Sequence, residues 1–186
     1  MDEDIKKCIE VLNCGGLILY PTDTIWGIGC DATCEEAVKK VFALKQRADN
    51  KAMIVLLDSA EHLDHYVVDV PEMALELLDV AVKPLTIVYD GAFNVARNLL
   101  GENDSLGIRV PHDTFCQRLC AEFGKPIVST SANVSGTPSA KTFSEISDYI
   151  KHGVDYVVNY RQGDNVPGAA SNIIILHSDG TFKIIR

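Results

Sequence analysis

Four short segments of the chain place anion-binding or densely hydrogen-bonding side chains between apolar stretches. They cover residues 20–29, 45–51, 105–111 and 129–138. Hydroxyl, amide, ammonium and guanidinium groups hold phosphate and carboxylate oxygens, and glycine lets the backbone approach a ligand closely. The segments therefore predict a focused site for a small anionic ligand.

The segment 20–29 directly follows a buried strand predicted over residues 17–20, and it contains Thr22, Asp23 and Thr24. Threonine, aspartate and glycine at the end of a strand suit a turn that contacts a ligand. A plain turn, in which one of these side chains caps the backbone, explains the same residues equally well. The sequence leaves both interpretations open.

Five basic residues lie between Lys39 and Lys51 in an otherwise acidic chain. Lys45 and Arg47 follow a predicted apolar helix, whose dipole alone favours cations at that end. The functional alternative is a polyphosphate site, with the arginine donating two hydrogen bonds and the lysine acting as a point charge. Two basic residues by themselves do not decide between these interpretations.

Arg109 interrupts the apolar strand predicted over residues 105–110. A buried charge at that position needs a partner, so Arg109 either faces solvent or holds a ligand carboxylate. The segment 129–138 follows another strand and is rich in serine, threonine and asparagine. It is either a surface turn or a loop that holds phosphate or ribose oxygens.

Alternating helices and strands must position these loops. Helices are predicted over 4–13, 34–46, 71–80 and 114–123, with a short one near 92–100 and one capped by Thr142 or Ser144. Strands are predicted over 17–20, 53–57, 85–89, 105–110, 126–129 and 154–158, with a final hairpin of 173–176 and 182–185. This order predicts a three-layer α/β fold with a mixed sheet, in one domain spanning residues 1–186.

Composition narrows the class of protein. Hydrophobic residues make up 47% and charged residues 23% of the 186 positions, which excludes disorder and coiled coil. No apolar run is long enough to cross a bilayer and no secretory signal is visible, so we expect a cytoplasmic protein. The net charge of −9 argues against indiscriminate nucleic-acid binding.

Two C-x-x-x-C pairs, Cys30/Cys34 and Cys116/Cys120, raise the question of a zinc site. The spacing differs from that of zinc ribbons, and buried reduced cysteine is the commoner state inside cells. We therefore assign no metal ligands to this chain.

Taken together in order and spacing, the segments resemble the YrdC-like family, the threonylcarbamoyl-AMP synthases of tRNA modification. The resemblance rests on five motifs: PTDTIWGIG at 21–29, KQR at 45–47, PLT at 84–86, GIRVP at 107–111 and SANVSGTP at 131–138. It implies a twisted mixed sheet, surrounded by helices, around a concave and positively lined cavity. It also implies condensation of L-threonine, bicarbonate and ATP into threonylcarbamoyl-AMP, with Mg²⁺ carried by the ATP.

The family's motif positions imply a role for each residue. The catalytic pair would be Lys45 and Arg47. ATP would be bound by Lys45, Arg47, Lys51, Ser105, Ser129, Asn133, Lys141 and Arg186, and threonine by Thr24, Arg109, Ser131 and Ser171. The product would pass to a downstream transferase complex that modifies tRNA, and tRNA itself is a possible partner.

Departures from the family pattern affect the predicted threonine pocket more than the ATP site. Ala48 and Ala52 replace frequent prolines, and Lys51 stands where asparagine is common. Leu56 stands where some members place a polar contact to threonine, and Asn172 replaces a common threonine.

Two other functions stay open at this stage. One is a non-catalytic module that binds double-stranded RNA or tRNA through the same cavity. The other is the carbamoyl-adenylate domain of hydrogenase-maturation proteins, whose usual accompanying domains the sequence does not show.

Overall fold

A computed structural model describes residues 1–47 and 53–186 of the chain. Its centre is a mixed β-sheet in the order β7-β1-β2-β6-β3-β5-β4-β8-β9. The strands are β1 (Ile18–Tyr20), β2 (Gly27–Gly29), β3 (Ile54–Leu56), β4 (Leu85–Tyr89), β5 (Leu106–Arg109), β6 (Ile127–Ser131), β7 (Tyr156–Val157), β8 (Asn172–Leu176) and β9 (Phe182–Ile184). Parallel pairs such as β3–β5 and β4–β8 stand beside antiparallel pairs such as β2–β6 and β8–β9, as the sequence predicts.

Five α-helices accompany the sheet in the described part of the chain. They are α1 (Asp2–Asn13), α2 (Glu35–Leu44), α3 (Glu72–Val80), α4 (Thr114–Phe123) and α5 (Asp148–His152). The first helix packs on α4, β1 and β7, whereas α2 packs on the short turn Arg97–Leu99. None of these helices has both the length and the apolar character needed to span a membrane.

Helix α2 carries the predicted basic segment at its C-terminal end. Its apolar face, with Ala37, Val38 and Val41 among its members, is fully buried. Burial of that face fixes the axis of the helix, and Lys45 is the C-terminal cap residue. The helix therefore places the basic segment beside the C-terminal end of β6.

Strand register gathers polar side chains on one face of the sheet. Ser129 lies opposite Ile54, and Arg109 lies opposite Leu56 on the same strand β3. Residues two apart on a strand point to the same face, so Ser131 joins Ser129 and Arg109 there. Polar side chains from two strands, β5 and β6, thus face one space.

The second strand is a feature that the sequence reasoning missed. Residues 27–29 belong to the segment 20–29, which the sequence predicts as a turn, and glycine has low β-propensity. In the structure they pair with β1 and β6. A Cβ atom at Gly29 would lie 2.7 Å from the Tyr20 ring and 2.9 Å from the Val128 carbonyl oxygen. Close packing of three strands therefore requires glycine there.

Two helix predictions were wrong. The short helix near 92–100 is only the 3-10 turn Arg97–Leu99, and Asn94 before it has a left-handed φ of 56°. The helix after residue 142 begins later than predicted, at Asp148, with the Ser147 side chain accepting the Ile150 N–H. Residues Phe143–Glu145 form a separate 3-10 turn, so neither Thr142 nor Ser144 caps an α-helix.

The boundaries of α4 confirm the local signals in the sequence. The Asp113 carboxylate accepts a hydrogen bond from the Cys116 N–H at the start of the helix. Gly124 ends it with a φ of 72°, which glycine adopts without strain. These contacts fix the loop between β5 and α4, which begins directly after Arg109.

Candidate active site

An open cavity of about 660 Å³, counted with its mouth, lies on the polar face of the sheet. Its walls include six residues that the sequence singled out: Thr24, Arg109, Ser129, Ser131, Ser171 and Arg186. All four residues predicted to bind threonine are in this set.

Arg109 is a buried positive charge in the wall of the cavity. It is the last residue of β5, and only 3% of its surface is exposed. Its Nη2 atom lies 3.3 Å from Asp23 Oδ1. Within the described residues, however, neither Nε nor Nη2 has a hydrogen-bond partner. Buried donors of this kind are costly unless a ligand satisfies them, and a planar pair of donors matches a carboxylate.

Asp23 is a functional residue that the sequence reasoning did not assign. Its Oδ2 accepts a hydrogen bond from the His112 N–H at 3.1 Å, while Oδ1 faces Arg109. The carboxylate therefore joins the loop before β2 to the loop after β5. The only signal in the sequence was that a strand arginine needs a partner, and nothing local says which one.

The threonines of the segment 20–29 form a closed hydrogen-bond network. Thr22 Oγ1 lies 2.8 Å from Thr24 Oγ1, donates to the Ile25 carbonyl and accepts the Thr24 N–H. Arg161 donates to the Thr22 carbonyl, and a Cβ atom at Gly168 would overlap the Thr24 carbonyl oxygen. The turn is therefore held from behind by residues about 140 positions later.

Ser171 and Arg186 form the opposite wall. The Ser171 hydroxyl lies 2.8 Å from the hydroxyl of Thr86, a fully buried residue on β4. Arg186 Nε donates to the Ser171 carbonyl at 2.9 Å. Thr86 is a second residue that was not assigned, although its PLT motif was noticed.

Lys45 is buried beside this cavity rather than in its lining. Its Nζ donates to the carbonyls of Ser131 at 2.5 Å and Asn133 at 2.8 Å. The Lys45 carbonyl in turn accepts the Ser135 N–H at 2.8 Å. Burial, followed by the charge of Arg47, lowers the pKa of Lys45 to about 8. The side chain and backbone of Lys45 together shape the loop 131–135.

Arg47 lies beyond the end of α2 and is also partly enclosed. Its Nη1 is 3.5 Å from the Thr130 hydroxyl, at the long limit of a hydrogen bond. Burial lowers the pKa of Arg47 from its ordinary value. Thr130 lines the cavity, so Arg47 stands beside the polar face from the α2 side.

Besides Lys45 and Arg47, three predicted ATP residues in the described part of the chain are not in the cavity lining. Asn133 donates to the carbonyls of Val134 and Thr137, inside its own loop. Lys141 borders a smaller neighbouring cavity that shares Thr24. Ser105 precedes β5 and thus lies about 13 Å from the Arg109 end, at 3.3 Å per residue. Lys51 lies outside the described residues, as do Ala48 and Ala52.

Across residues 1–47 and 53–186, no group of three or more His, Cys, Asp or Glu side chains is arranged to hold a metal ion. The cysteines Cys30, Cys116 and Cys120 are buried, and burial raises the pKa of each thiol. The described part of the chain thus offers hydrogen-bond donors for carboxylate and phosphate groups, but no set of side chains arranged to hold a metal ion.

This fold and cavity define a class of mixed α/β proteins with a polar cavity on one face of the sheet. The family model Sua5/YciO/YrdC, described as telomere recombination, matches residues 10–186. The chain belongs to this family.

Relatives of known name agree with that membership. A threonylcarbamoyl-AMP synthase of Stutzerimonas stutzeri (strain A1501) is 35% identical over 159 residues, covering 85% of each chain. One from Escherichia coli O9:H4 is 37% identical over 145 residues and covers 76% of each. The crystal structure of P. abyssi Sua5 complexed with L-threonine is 28% identical, with a TM-score of 0.86. It aligns with 98% of this chain, which spans about half (53%) of the P. abyssi chain.

Proposed function

We propose that this protein is a threonylcarbamoyl-AMP synthase. It would condense L-threonine, bicarbonate and ATP and release pyrophosphate. The observation that carries the proposal is the buried Arg109 guanidinium in the wall of the cavity, whose Nε and Nη2 have no hydrogen-bond partner among the described residues. The names of the curated relatives favour this enzyme over a non-catalytic RNA-binding module.

The chemistry needs no covalent enzyme nucleophile. The amine of threonine attacks the bicarbonate carbon, a C–N bond forms, and water leaves to give a carbamate. A carbamate oxygen then attacks the α-phosphorus of ATP, and the bond to pyrophosphate breaks. Positioning and charge neutralisation are therefore the work of the site.

In this assignment, Arg109 holds the threonine carboxylate, while Thr24, Ser131 and Ser171 surround the rest of the amino acid. Their common cavity supports the assignment. The β-hydroxyl and amine of threonine are polar, and three hydroxyl side chains supply partners for them.

The nucleotide is assigned to the other side of the same space. Ser129 and Arg186 line the cavity with Arg109, so a nucleotide held there would meet the carbamate. Lys45 and Arg47 would neutralise the triphosphate, and Asn133, Lys141, Ser105 and Lys51 complete the proposed ATP residues. Mg²⁺ would be held by phosphates and water, which suits a chain that shows no metal cage in its described residues.

The test is pyrophosphate release from ATP, with Mg²⁺ and bicarbonate, in the presence and absence of L-threonine. We expect release that depends on both threonine and bicarbonate. In Arg109→Ala, kcat/KM for threonine should fall about a hundredfold, because two charge-assisted hydrogen bonds are lost. Arg97→Ala, an exposed arginine outside the cavity, is the matched control and should leave activity unchanged.

Release with another amino acid would keep the chemistry and change the substrate. Absence of release by folded protein under all conditions would contradict the proposal. Tight tRNA binding with a steep dependence on salt, and no pyrophosphate, would instead support the RNA-binding module. Transfer of the product to tRNA by a separate complex, and a cytoplasmic location, remain proposals.

A further inference from the structure

We propose that Thr22 is a positioning residue that fixes the polarity of the Thr24 hydroxyl. Thr24 would then offer the cavity a hydrogen-bond acceptor and no donor. The site would select a ligand that turns an N–H or O–H group toward Thr24 while its carboxylate meets Arg109. This inference rests on the proposed function, because it concerns how the same cavity recognises its amino acid.

The Thr22 hydroxyl has one hydrogen to donate and two lone pairs that can accept hydrogen bonds. A carbonyl can only accept, so the contact of 2.7 Å from Oγ1 to the Ile25 carbonyl uses the hydrogen. A backbone N–H can only donate, so the contact of 3.0 Å from the Thr24 nitrogen uses one lone pair. One lone pair remains.

The hydrogen bonds of Thr22 fix those of Thr24. Its Oγ1 lies 2.8 Å from Thr22 Oγ1, and Thr22 has no hydrogen left to donate. Thr24 must therefore donate its single hydrogen to Thr22. Its own lone pairs stay available, and Thr24 lines the cavity that also contains Arg109. The cavity lining thus contains the guanidinium of Arg109 and a hydrogen-bond acceptor at Thr24.

The hydrogen-bond network that joins Thr22 and Thr24 is rigid. Thr22 is 3% exposed and does not line the large cavity, so it acts through Thr24. Arg161 donates to the Thr22 carbonyl, and the Gly168 backbone lies too close to the Thr24 carbonyl to admit a side chain. The hydroxyl of Thr24 cannot reverse without breaking a buried bond, which is costly.

Threonine carries two groups that could meet this acceptor, the amine and the β-hydroxyl. Two analogues separate them: O-methyl-L-threonine lacks the hydroxyl hydrogen, and 3-hydroxybutanoate lacks the amine. Calorimetric dissociation constants for threonine and both analogues would be measured without turnover. The proteins are the unchanged chain, Thr22→Val, Thr22→Ser and the control Thr33→Val, which removes an exposed hydroxyl bonded to Asp31.

In the unchanged protein, the analogue that lacks the donor facing Thr24 should bind about tenfold more weakly than threonine. Thr22→Val should reduce that penalty to about twofold, since the Thr24 hydroxyl could then turn. Thr22→Ser and Thr33→Val should both keep the full penalty. Thr24→Val removes the same acceptor without altering Thr22, so it must also remove the penalty, even if Thr22→Val does not fold.

An unchanged penalty in folded Thr22→Val, or in Thr24→Val, would overturn this inference while leaving the synthase intact. The same holds if Thr22→Ser behaves like Thr22→Val, because the hydroxyl is then irrelevant. If threonine does not bind the unchanged protein at all, the proposed function and this inference fall together.

Discussion

Two buried cations stand at the site, Arg109 and Lys45, and they differ in one respect that decides their use. Both are almost fully buried, at 3% and 1% exposure. The Lys45 ammonium has two carbonyl acceptors, at Ser131 and Asn133. The Arg109 guanidinium keeps two donors without a hydrogen-bond partner in the described residues.

Burial of a charge therefore does not by itself identify a ligand-binding group. A satisfied cation such as Lys45 builds the structure around it, here the loop 131–135. A buried cation whose donors lack hydrogen-bond partners, such as Arg109, is the better candidate for a ligand-binding group, because a ligand could satisfy those donors. Lys45 can still act on the triphosphate through its charge, and that dual role can be tested.

The largest effect is expected from Lys45→Met, which removes the satisfied cation. The Ser131 and Asn133 carbonyls lose a donor, so the free energy of unfolding should fall by about 2 kcal/mol. Loss of the charge should also lower kcat/KM for ATP about a hundredfold. Chemical denaturation and pyrophosphate release measure the two effects.

Lys39→Met is the matched control on the same helix, because Lys39 is exposed and pairs with Glu36. It should change neither quantity measurably. A Lys45→Met protein with lower stability but normal kcat/KM for ATP would show that Lys45 is only structural. The contrast with Arg109 would then be complete.

Asp23→Asn tests the other cation by removing its nearest carboxylate. Arg109 is left as a buried charge without compensation, so the unfolding free energy should fall by about 2 kcal/mol. Saturating threonine should recover most of this loss, because its carboxylate supplies the missing negative charge. Melting temperature with and without threonine is the measurement.

The control is Asp148→Asn, an exposed residue with a weak ion pair of 3.9 Å to Lys151. Its melting temperature should stay unchanged with or without threonine. If threonine stabilises Asp23→Asn less than it stabilises the unchanged protein, Asp23 orients Arg109 more than it neutralises it. The electrostatic account of the pair would then be wrong.

The smallest effect is a pH dependence that belongs to Lys45 alone. Its pKa of about 8 means that its charge is present below pH 8 and lost above it. At saturating threonine, kcat/KM for ATP should fall about fourfold from pH 7 to pH 8.5.

The stability contribution of Lys45 runs in the opposite direction. Between about pH 8 and 10.5, the folded state binds fewer protons than the unfolded state, because the pKa of Lys45 is lowered by folding. The contribution of Lys45 to the free energy of unfolding therefore rises with pH in that window, and it is lost as the pH falls through it. Lys45→Arg should abolish the alkaline limb. A limb that persists in Lys45→Arg would assign it to another group.

Local signals in the sequence were reliable where a few neighbouring residues decide the outcome. Helix α4 spans Thr114–Phe123 and strand β4 spans Leu85–Tyr89, both as predicted. The Gly-Ile-Gly strand was missed because its pairing depends on two strands distant in sequence. The helix expected near 92–100 was wrong because tertiary context overrode a weak propensity.

The sequence alone indicated the family, most of the helices and strands, and the residues around the predicted threonine pocket, because spacing and side-chain chemistry are local properties. Only the tertiary structure decided which charges meet. Asp23 reaches Arg109 across 86 positions, and Lys45 reaches the carbonyls of residues 131 and 133. Strand register and loop packing set those distances, so only the folded chain determines the direction of each hydrogen bond.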